Sequence, residues 1–251
     1  MEWYWILAIV LGSVLLLFLL SWLLYEPLFK RFWDIVLSGL AIILLSPFLI
    51  ILIILGAIFM KGNPFFAQQR PGKKGKAFHL IKFRSMSNKK DKDGNLLPDE
   101  QRVSKYGNFL RKTSLDELPE LFNIFVGNMS IVGPRPLLME YLPYYTEKEM
   151  HRHDVRPGLT GLAQVRGRSF LTWEEIFEYD LEYVNKCSLK VDIAIIFGTI
   201  GKVFRRGEIA DVQTITIDEN GDAWVIDNGI KRRLHRPLNQ EREANAKRNR
   251  Q

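Results

Sequence analysis

Apolar side chains dominate the start of the chain. From Trp3 to Tyr25, tyrosine and tryptophan aside, the only hydrophilic side chains are Ser13 and Ser21. At about 1.5 Å per residue the run predicts one membrane-spanning helix. A second apolar run extends from Ile35 to Met60 and carries Ser46-Pro47 in its middle. Proline removes a backbone donor and clashes with the preceding turn, so it kinks a helix. The Ser46 hydroxyl is placed to satisfy a carbonyl freed by that kink, a need that is acute in lipid. Beyond Lys61 the pattern becomes mixed and reads as a water-facing domain.

That domain divides by pattern into short elements. Asn63 to Arg84 predicts short strands around the Pro71-Gly72 turn and the Gly75 loop. Asn88 to Glu100 is a charged loop without the ligand spacing of a calcium-binding loop. Lys105 to Phe125, Glu147 to Asp154 and Thr172 to Lys186 predict helices, the last with Trp173, Ile176, Phe177, Leu181 and Val184 near one face. Leu189 to Phe204 is apolar but carries Lys190, Asp192 and Lys202, which reads as an interfacial helix or one packed within the domain. Val212 to Ile226 predicts a hairpin about Asn220-Gly221. The tail from Asn239 has little to bury and reads as disordered.

Charge then bears on topology. The formal net charge of +7 over 251 residues fits an anionic surface, and the positions of the basic residues favour a membrane over nucleic acid. Lys30-Arg31 precede the second apolar run, whereas Lys61, Arg70, Lys73, Lys74 and Lys76 follow it. Short basic loops stay on the cytoplasmic side. A spanning helix would put one cluster outside; a re-entrant segment broken at Ser46-Pro47 keeps both inside. The residues leave both readings open and favour the second. A cleaved signal peptide fits poorly, because Glu2 stands where a basic region is expected and no A-x-A-like site follows. The single cysteine, Cys187, excludes an internal disulfide and a multi-cysteine zinc site. His151 and His153 read as surface residues rather than metal ligands, and neither a P-loop nor a dinucleotide-binding glycine motif occurs.

Three stretches carry candidate chemistry. Ser114 to Glu117, SLDE, has the spacing of a capping box, with acids at the positive end of a helix. The adjacent acids Asp116 and Glu117 also suit a nucleophile beside a ligand for a hard cation, with Arg111 upstream to offset phosphate charge. In GPRP, Gly133 to Pro136, Pro134 and Pro136 restrict the backbone around Arg135. That is either a stiff solvated loop or a guanidinium presented for phosphate. In the third stretch, RPGLTGLAQVRGR from Arg156 to Arg168, Arg156, Gln164, Arg166 and Arg168 offer phosphate or base contacts, or a basic loop at the membrane.

Taken in order, Ser46-Pro47, QRPG at Gln69 to Gly72, KFRSM at Lys82 to Met86, SLDELPELFN at Ser114 to Asn123, MSIVGPRP at Met129 to Pro136 and the block to Arg168 resemble one family. It is the bacterial sugar transferase family, the small monotopic polyprenyl-phosphate phosphoglycosyl transferases. The resemblance covers about Phe29 to Gly207. It implies transfer of a sugar 1-phosphate from a UDP-sugar to undecaprenyl phosphate with release of UMP and use of Mg²⁺, by a ping-pong route through a phosphoglycosyl-aspartate. By motif position Asp116 would be the nucleophile and Glu117 its partner acid at Mg²⁺. Lys82 and Arg111 would serve phosphate binding, and Arg135 and Arg168 would hold the nucleotide-sugar phosphates. Arg70, Arg156 and Gln164 complete the candidate substrate-binding set, and Ser46-Pro47 would be the re-entrant break.

The implied fold class is α/β, mainly helical, a cytosolic domain anchored by an N-terminal transmembrane helix and a re-entrant hairpin. Five segments follow: an anchor over 1–28, the broken membrane helix over 29–60, a catalytic domain with interfacial helices over 61–210, an extension with a hairpin over 211–238, and a disordered tail over 239–251. The expected location is the cytoplasmic face of a bacterial inner membrane, as the first membrane step of polysaccharide or glycoprotein assembly. Membrane lipids and downstream glycosyltransferases are the expected partners; a homodimer is compatible with the family, and nucleic acid is not expected. Two rival readings are a glycosyltransferase that releases UDP and a non-catalytic membrane scaffold. The motifs leave the sugar open.

Overall fold

The computed structural model describes residues 3–23, 25, 29–92, 94, 95, 97–167, 171–204, 215–217, 223–227 and 230–233. The architecture is mainly helical, as the pattern predicts. Helix α1 (Trp3–Leu23) comes first, and its side chains from Trp3 to Leu16 are exposed. Helix α2 (Lys30–Met60) is long and apolar enough to cross a membrane.

By its hydrogen bonds α2 is one helix that runs through Pro47, rather than two separate ones. The reason is local. Pro47 has no N–H for the Ile43 carbonyl four residues back, and the Ser46 hydroxyl donates to that carbonyl at 2.8 Å. Both halves of α2 pack on the same domain. Near its start, Arg31 donates to the carbonyls of Ile124 and Phe125 at 2.6 and 2.7 Å. One turn on, the Asp34 carboxylate accepts from Ser130 Oγ and the Ile131 N–H at 3.0 and 2.9 Å. In the second half Leu49 and Leu52 are buried against Phe83, Tyr106 and Leu110, and Tyr106 Oη donates to the Leu52 carbonyl at 2.9 Å. The other side of the helix is exposed, with Ile43 70% and Leu44 77% accessible.

Strands β1 (Phe65–Pro71) and β2 (Ala77–Phe83) form the expected antiparallel hairpin, with Phe65 opposite Phe83 and Pro71 opposite Ala77. Its turn uses Lys74 and Gly75 at positive φ. The predicted charged loop follows, closing on the short α3 (Asp99–Arg102). Helix α4 (Lys105–Thr113) comes next, then a 3₁₀ turn over Leu115–Glu117, then α5 (Glu120–Val126). The capping box expected at Ser114 does not form. Ser114 is a left-handed residue (φ 55°) ending α4, and its side chain caps nothing. The left-handed turn re-aims the chain between two helices, so the acids lie on a corner instead of a helix face. Capping boxes form elsewhere, at Thr146–Glu149 and Thr172–Glu175.

Two short strands, β3 (Ser130–Val132) and β4 (Gly158–Thr160), pair in parallel, Ser130 with Gly158 and Val132 with Thr160. Between them lie a 3₁₀ segment at Met139–Tyr144, α6 (Glu147–Met150) and a 3₁₀ turn at His151–His153. Helices α7 (Leu162–Arg166), α8 (Trp173–Lys186) and α9 (Leu189–Phe204) complete this part. In α8 the buried side chains are Trp173, Phe177, Asp180 and Tyr183, so two polar residues join the predicted apolar stripe. In α9, Asp192 and Ile195 are buried while Phe197 and Ile200 stay exposed, so one face packs and the opposite face is apolar and open. Asp192 pairs with Lys30 and accepts from Tyr25 and Tyr183; Lys30 is therefore an internal cation and not a surface charge. Strands β5 (Ile215–Ile217), β6 (Ala223–Asp227) and β7 (Ile230–Arg233) form an antiparallel sheet. The predicted turn at Asn220-Gly221 and the tail from Asn239 lie outside the described residues.

Candidate active site

The site forms where four pieces of chain meet. The hairpin β1–β2 supplies Arg70 and Lys82, the corner after α4 supplies Asp116 and Glu117, the first turn of α5 supplies Glu120, and the loop after β3 supplies Arg135. Asn123 fixes α5 to the hairpin. Its side-chain amide donates to the His79 carbonyl at 2.8 Å and accepts from the Ile81 N–H at 3.0 Å, filling the edge of β2 as a neighbouring strand would. Leu121, Ile124 and Met129 bury against Phe78 and Leu80 beneath that contact, each contributing about 1.5–3 kcal/mol. Lys82 is thereby held over the corner.

Its ammonium bridges Glu117 at 2.8 Å and Glu120 at 3.1 Å, and Arg135 reaches the same Glu117 oxygen at 2.9 Å. Burial works against ionisation of Glu117, but Arg135 and Lys82 outweigh it and pull the carboxyl down to about 2. Glu120 goes the other way. Burial raises its carboxyl to about 7, Lys82 opposing and the Glu117 charge adding. Burial, and then the charge of Glu117, also raise Asp116, against Lys82 and Arg111. Among the described residues no ion pair engages Asp116. The two adjacent acids are therefore set apart, one ionised and clamped, the other unclamped.

Arg111, in the last turn of α4, donates to Ser85 Oγ and Met86 Sδ, both at 2.9 Å. That gives the Ser-Met of KFRSM its physical role. A cavity of about 170 Å³ opens beside the corner. Arg70, Lys82, Glu120, Arg135 and Tyr141 line it, with Leu137 and Leu138 on its apolar side.

The remaining predicted residues are placed variously. Arg70 lines the cavity, but two of its nitrogens are used internally, on the Pro136 carbonyl at 3.3 Å and on Gln68 Oε1 at 2.8 Å. Arg156 is turned away, its Nε donating to the Gly127 carbonyl at 2.9 Å. Gln164 donates to the Leu159 carbonyl at 3.2 Å, and its Oε1 is buried with no partner among the described residues. Arg168 lies outside the described residues. Pro134 and Pro136 flank Arg135 as expected. His153, expected at the surface, is buried and stacks on Tyr145, while His151 is exposed and pairs with Asp154. Glu120 and Asn123 escaped the sequence reading although both lie in SLDELPELFN; pattern alone does not tell which polar residue of a short helix turns inward.

A family model described as bacterial sugar transferase matches residues 25–206. An uncharacterized sugar transferase, EpsL, of Bacillus subtilis is 46% identical over 191 residues, covering 75% of this chain and 94% of EpsL. The UDP-glucose:undecaprenyl-phosphate glucose-1-phosphate transferase of Klebsiella pneumoniae is 42% identical over 186 residues, which is 70% of this chain but only 40% of that protein. The exopolysaccharide production protein ExoY of Rhizobium meliloti is 35% identical over 191 residues, covering 69% of this chain and 84% of ExoY. The matched span contains the hairpin, the acidic corner and the proline-flanked arginine, and on that footing the chain belongs to the bacterial sugar transferase family.

Proposed function

We propose that the protein transfers a sugar 1-phosphate from a UDP-sugar to undecaprenyl phosphate, releasing UMP, at the cytoplasmic face of a bacterial membrane. Relatives named for this reaction with UDP-glucose support the substrate class. One observation carries the mechanism: among the described residues Asp116 has no ion pair, on a corner where Lys82 and Arg135 are both held by Glu117. A free carboxylate facing cations is suited to attack phosphorus, because the cations offset the charge that gathers as phosphate meets carboxylate.

In the first step an Asp116 oxygen bonds to the β-phosphorus of the donor, and the bond from that phosphorus to the bridging oxygen breaks. UMP departs with the bridging oxygen and the bonding electrons. In the second step an oxygen of undecaprenyl phosphate attacks the same phosphorus and frees the carboxylate. Lys82 and Arg135 bind phosphate oxygens in both steps, and Arg111 faces Asp116 from α4. Mg²⁺ uses one or two carboxylates plus substrate phosphates and water, so Asp116 and Glu117 fit it, and among the described residues no cluster of three acidic, imidazole or thiol groups forms a closed cage. When bound there, it would neutralise phosphate charge.

A membrane setting suits a lipid-borne acceptor. We read α2 as re-entrant, because both its halves pack on the domain that carries Asp116. The test is nucleotide release by purified protein with Mg²⁺ and undecaprenyl phosphate over a panel of UDP-sugars. UMP from one donor, lost by at least about 10³-fold in Asp116→Asn, is the expected outcome. UDP in place of UMP, or an Asn variant as active as the parent, would overturn the mechanism.

A further inference from the structure

The Pro134-Arg135-Pro136 segment has an unusual hydrogen-bonding problem. Neither proline has an N–H to give, so the segment is held through its carbonyl oxygens. All three are engaged. Pro134 O accepts from the Gly158 N–H at 3.0 Å, Arg135 O from Arg152 Nη2 at 2.8 Å, and Pro136 O from Arg70 Nη1 at 3.3 Å.

Arg152 is the least expected of these donors. It is 2% exposed, its guanidinium lies 5.8 Å from the Tyr145 ring centroid and 5.7 Å from that of Phe177, and its charge is matched by the buried Asp180 of α8. Asp180 Oδ2 accepts from Nε at 2.9 Å and from Nη2 at 2.6 Å. A buried ion pair is a weak source of stability, since two well-packed apolar residues often serve as well. An apolar pair has no donor for the Arg135 carbonyl. The arrangement therefore does more than pair two buried charges: it supplies the donor for the Arg135 carbonyl.

We propose that Arg152 and Asp180 are positioning residues: Asp180 aims Arg152, and Arg152 fixes the backbone from which Arg135 meets the donor phosphates. The inference rests on the reading of Arg135 as a phosphate-binding residue. A displacement near 1 Å at such a group costs on the order of 10- to 100-fold in rate.

The experiment is a kinetic double-mutant cycle on the full chain, measuring UMP release against donor concentration, with thermal unfolding of every variant. Arg152→Lys keeps the buried charge and gives up the planar fork that serves Asp180 and the carbonyl together. Expected is a fall of about 10- to 100-fold in kcat/KM in the parent. In an Arg135→Lys background the same change should cost under about twofold, because coupled residues are not additive. The unfolding temperature should drop by the same amount in both backgrounds. Equal kinetic losses in both, or an Arg152→Lys variant with parental kcat/KM, would overturn the inference. If Arg152→Lys does not fold, the pair Arg152→Met with Asp180→Leu takes its place in the same cycle, removing the donor without a lone buried charge. Arg135→Lys with parental kcat/KM would instead remove the phosphate role of Arg135, and this inference with it.

Discussion

Two histidines two positions apart differ entirely in surroundings. His151 is exposed and pairs with Asp154 at 2.8 Å; His153 is 5% exposed and stacked on Tyr145. Burial, and then the neighbouring Arg152 charge, hold the His153 imidazole down to about 4. Its ordinary value is near 6.5, so between these pH values the unfolded chain binds a proton that the folded chain refuses. Stability should be insensitive to this group above about pH 7 and fall progressively from about pH 6.5 to 4, by on the order of 3 kcal/mol. Unfolding curves over that range check it: a His153→Gln variant should lose this part of the slope, and an unchanged slope would trace it to another group. The spacing of the two histidines showed that they share no helix face, but exposure depends on the segment from Tyr141 to Tyr145, which is distant in pattern if near in sequence. Glu120 makes the same point. Acidic and three residues from Glu117, it shows no inward role by pattern until its pairing with Lys82 is known.

Among the elements, strand and helix identities were largely legible. The hairpin from Phe65 to Phe83, the helix from Trp173 and the apolar runs all follow from periodicity and turn residues. The acidic corner was not. SLDE satisfies the capping spacing, yet Ser114 takes a left-handed conformation because α4 must end and redirect the chain there. Gly107 shows how tightly α4 is seated. A Cβ there would lie 1.8 Å from the Ser85 carbonyl oxygen, a backbone atom that has no room to yield. Gly107→Ala should therefore destabilise by at least about 1–3 kcal/mol and displace Ser85 from Arg111, lowering kcat/KM in the fraction that stays folded. Gly62→Ala is the control, since a Cβ there meets nothing within 4 Å. Thermal unfolding and UMP release of the two variants give the comparison; equal behaviour would mean that α4 and the strand end move apart freely.

At the scale of the whole molecule, the central expectation concerns the path of α2. At about 1.5 Å per residue a straight helix of this length spans roughly 46 Å, yet its first turns contact α5 and β3 and its last turns contact α4 and β2. With Cys187 replaced by serine, single cysteines at Phe29 and Lys61 should both resist a membrane-impermeant thiol reagent in intact cells and react after permeabilisation. Reaction at one position alone in intact cells would mean that α2 crosses. The positions of the basic residues favour this arrangement, but they do not reveal the internal duties of Lys30 and Arg31, which depend on partners 162 and 93 positions away.

Leu45 of α2 packs at once against the cluster around Phe83, Tyr106 and Leu110 and against the one around Phe78, Leu121 and Ile124. The oily segment is thus no tether from which a water-soluble half can be clipped. A version shortened to begin after Met60 would expose the seams of both clusters and lose the shelf on which the acidic corner rests. The greasy helix and the acidic corner are parts of one folding unit, so the domain cannot be parted from its most apolar segment without losing its core.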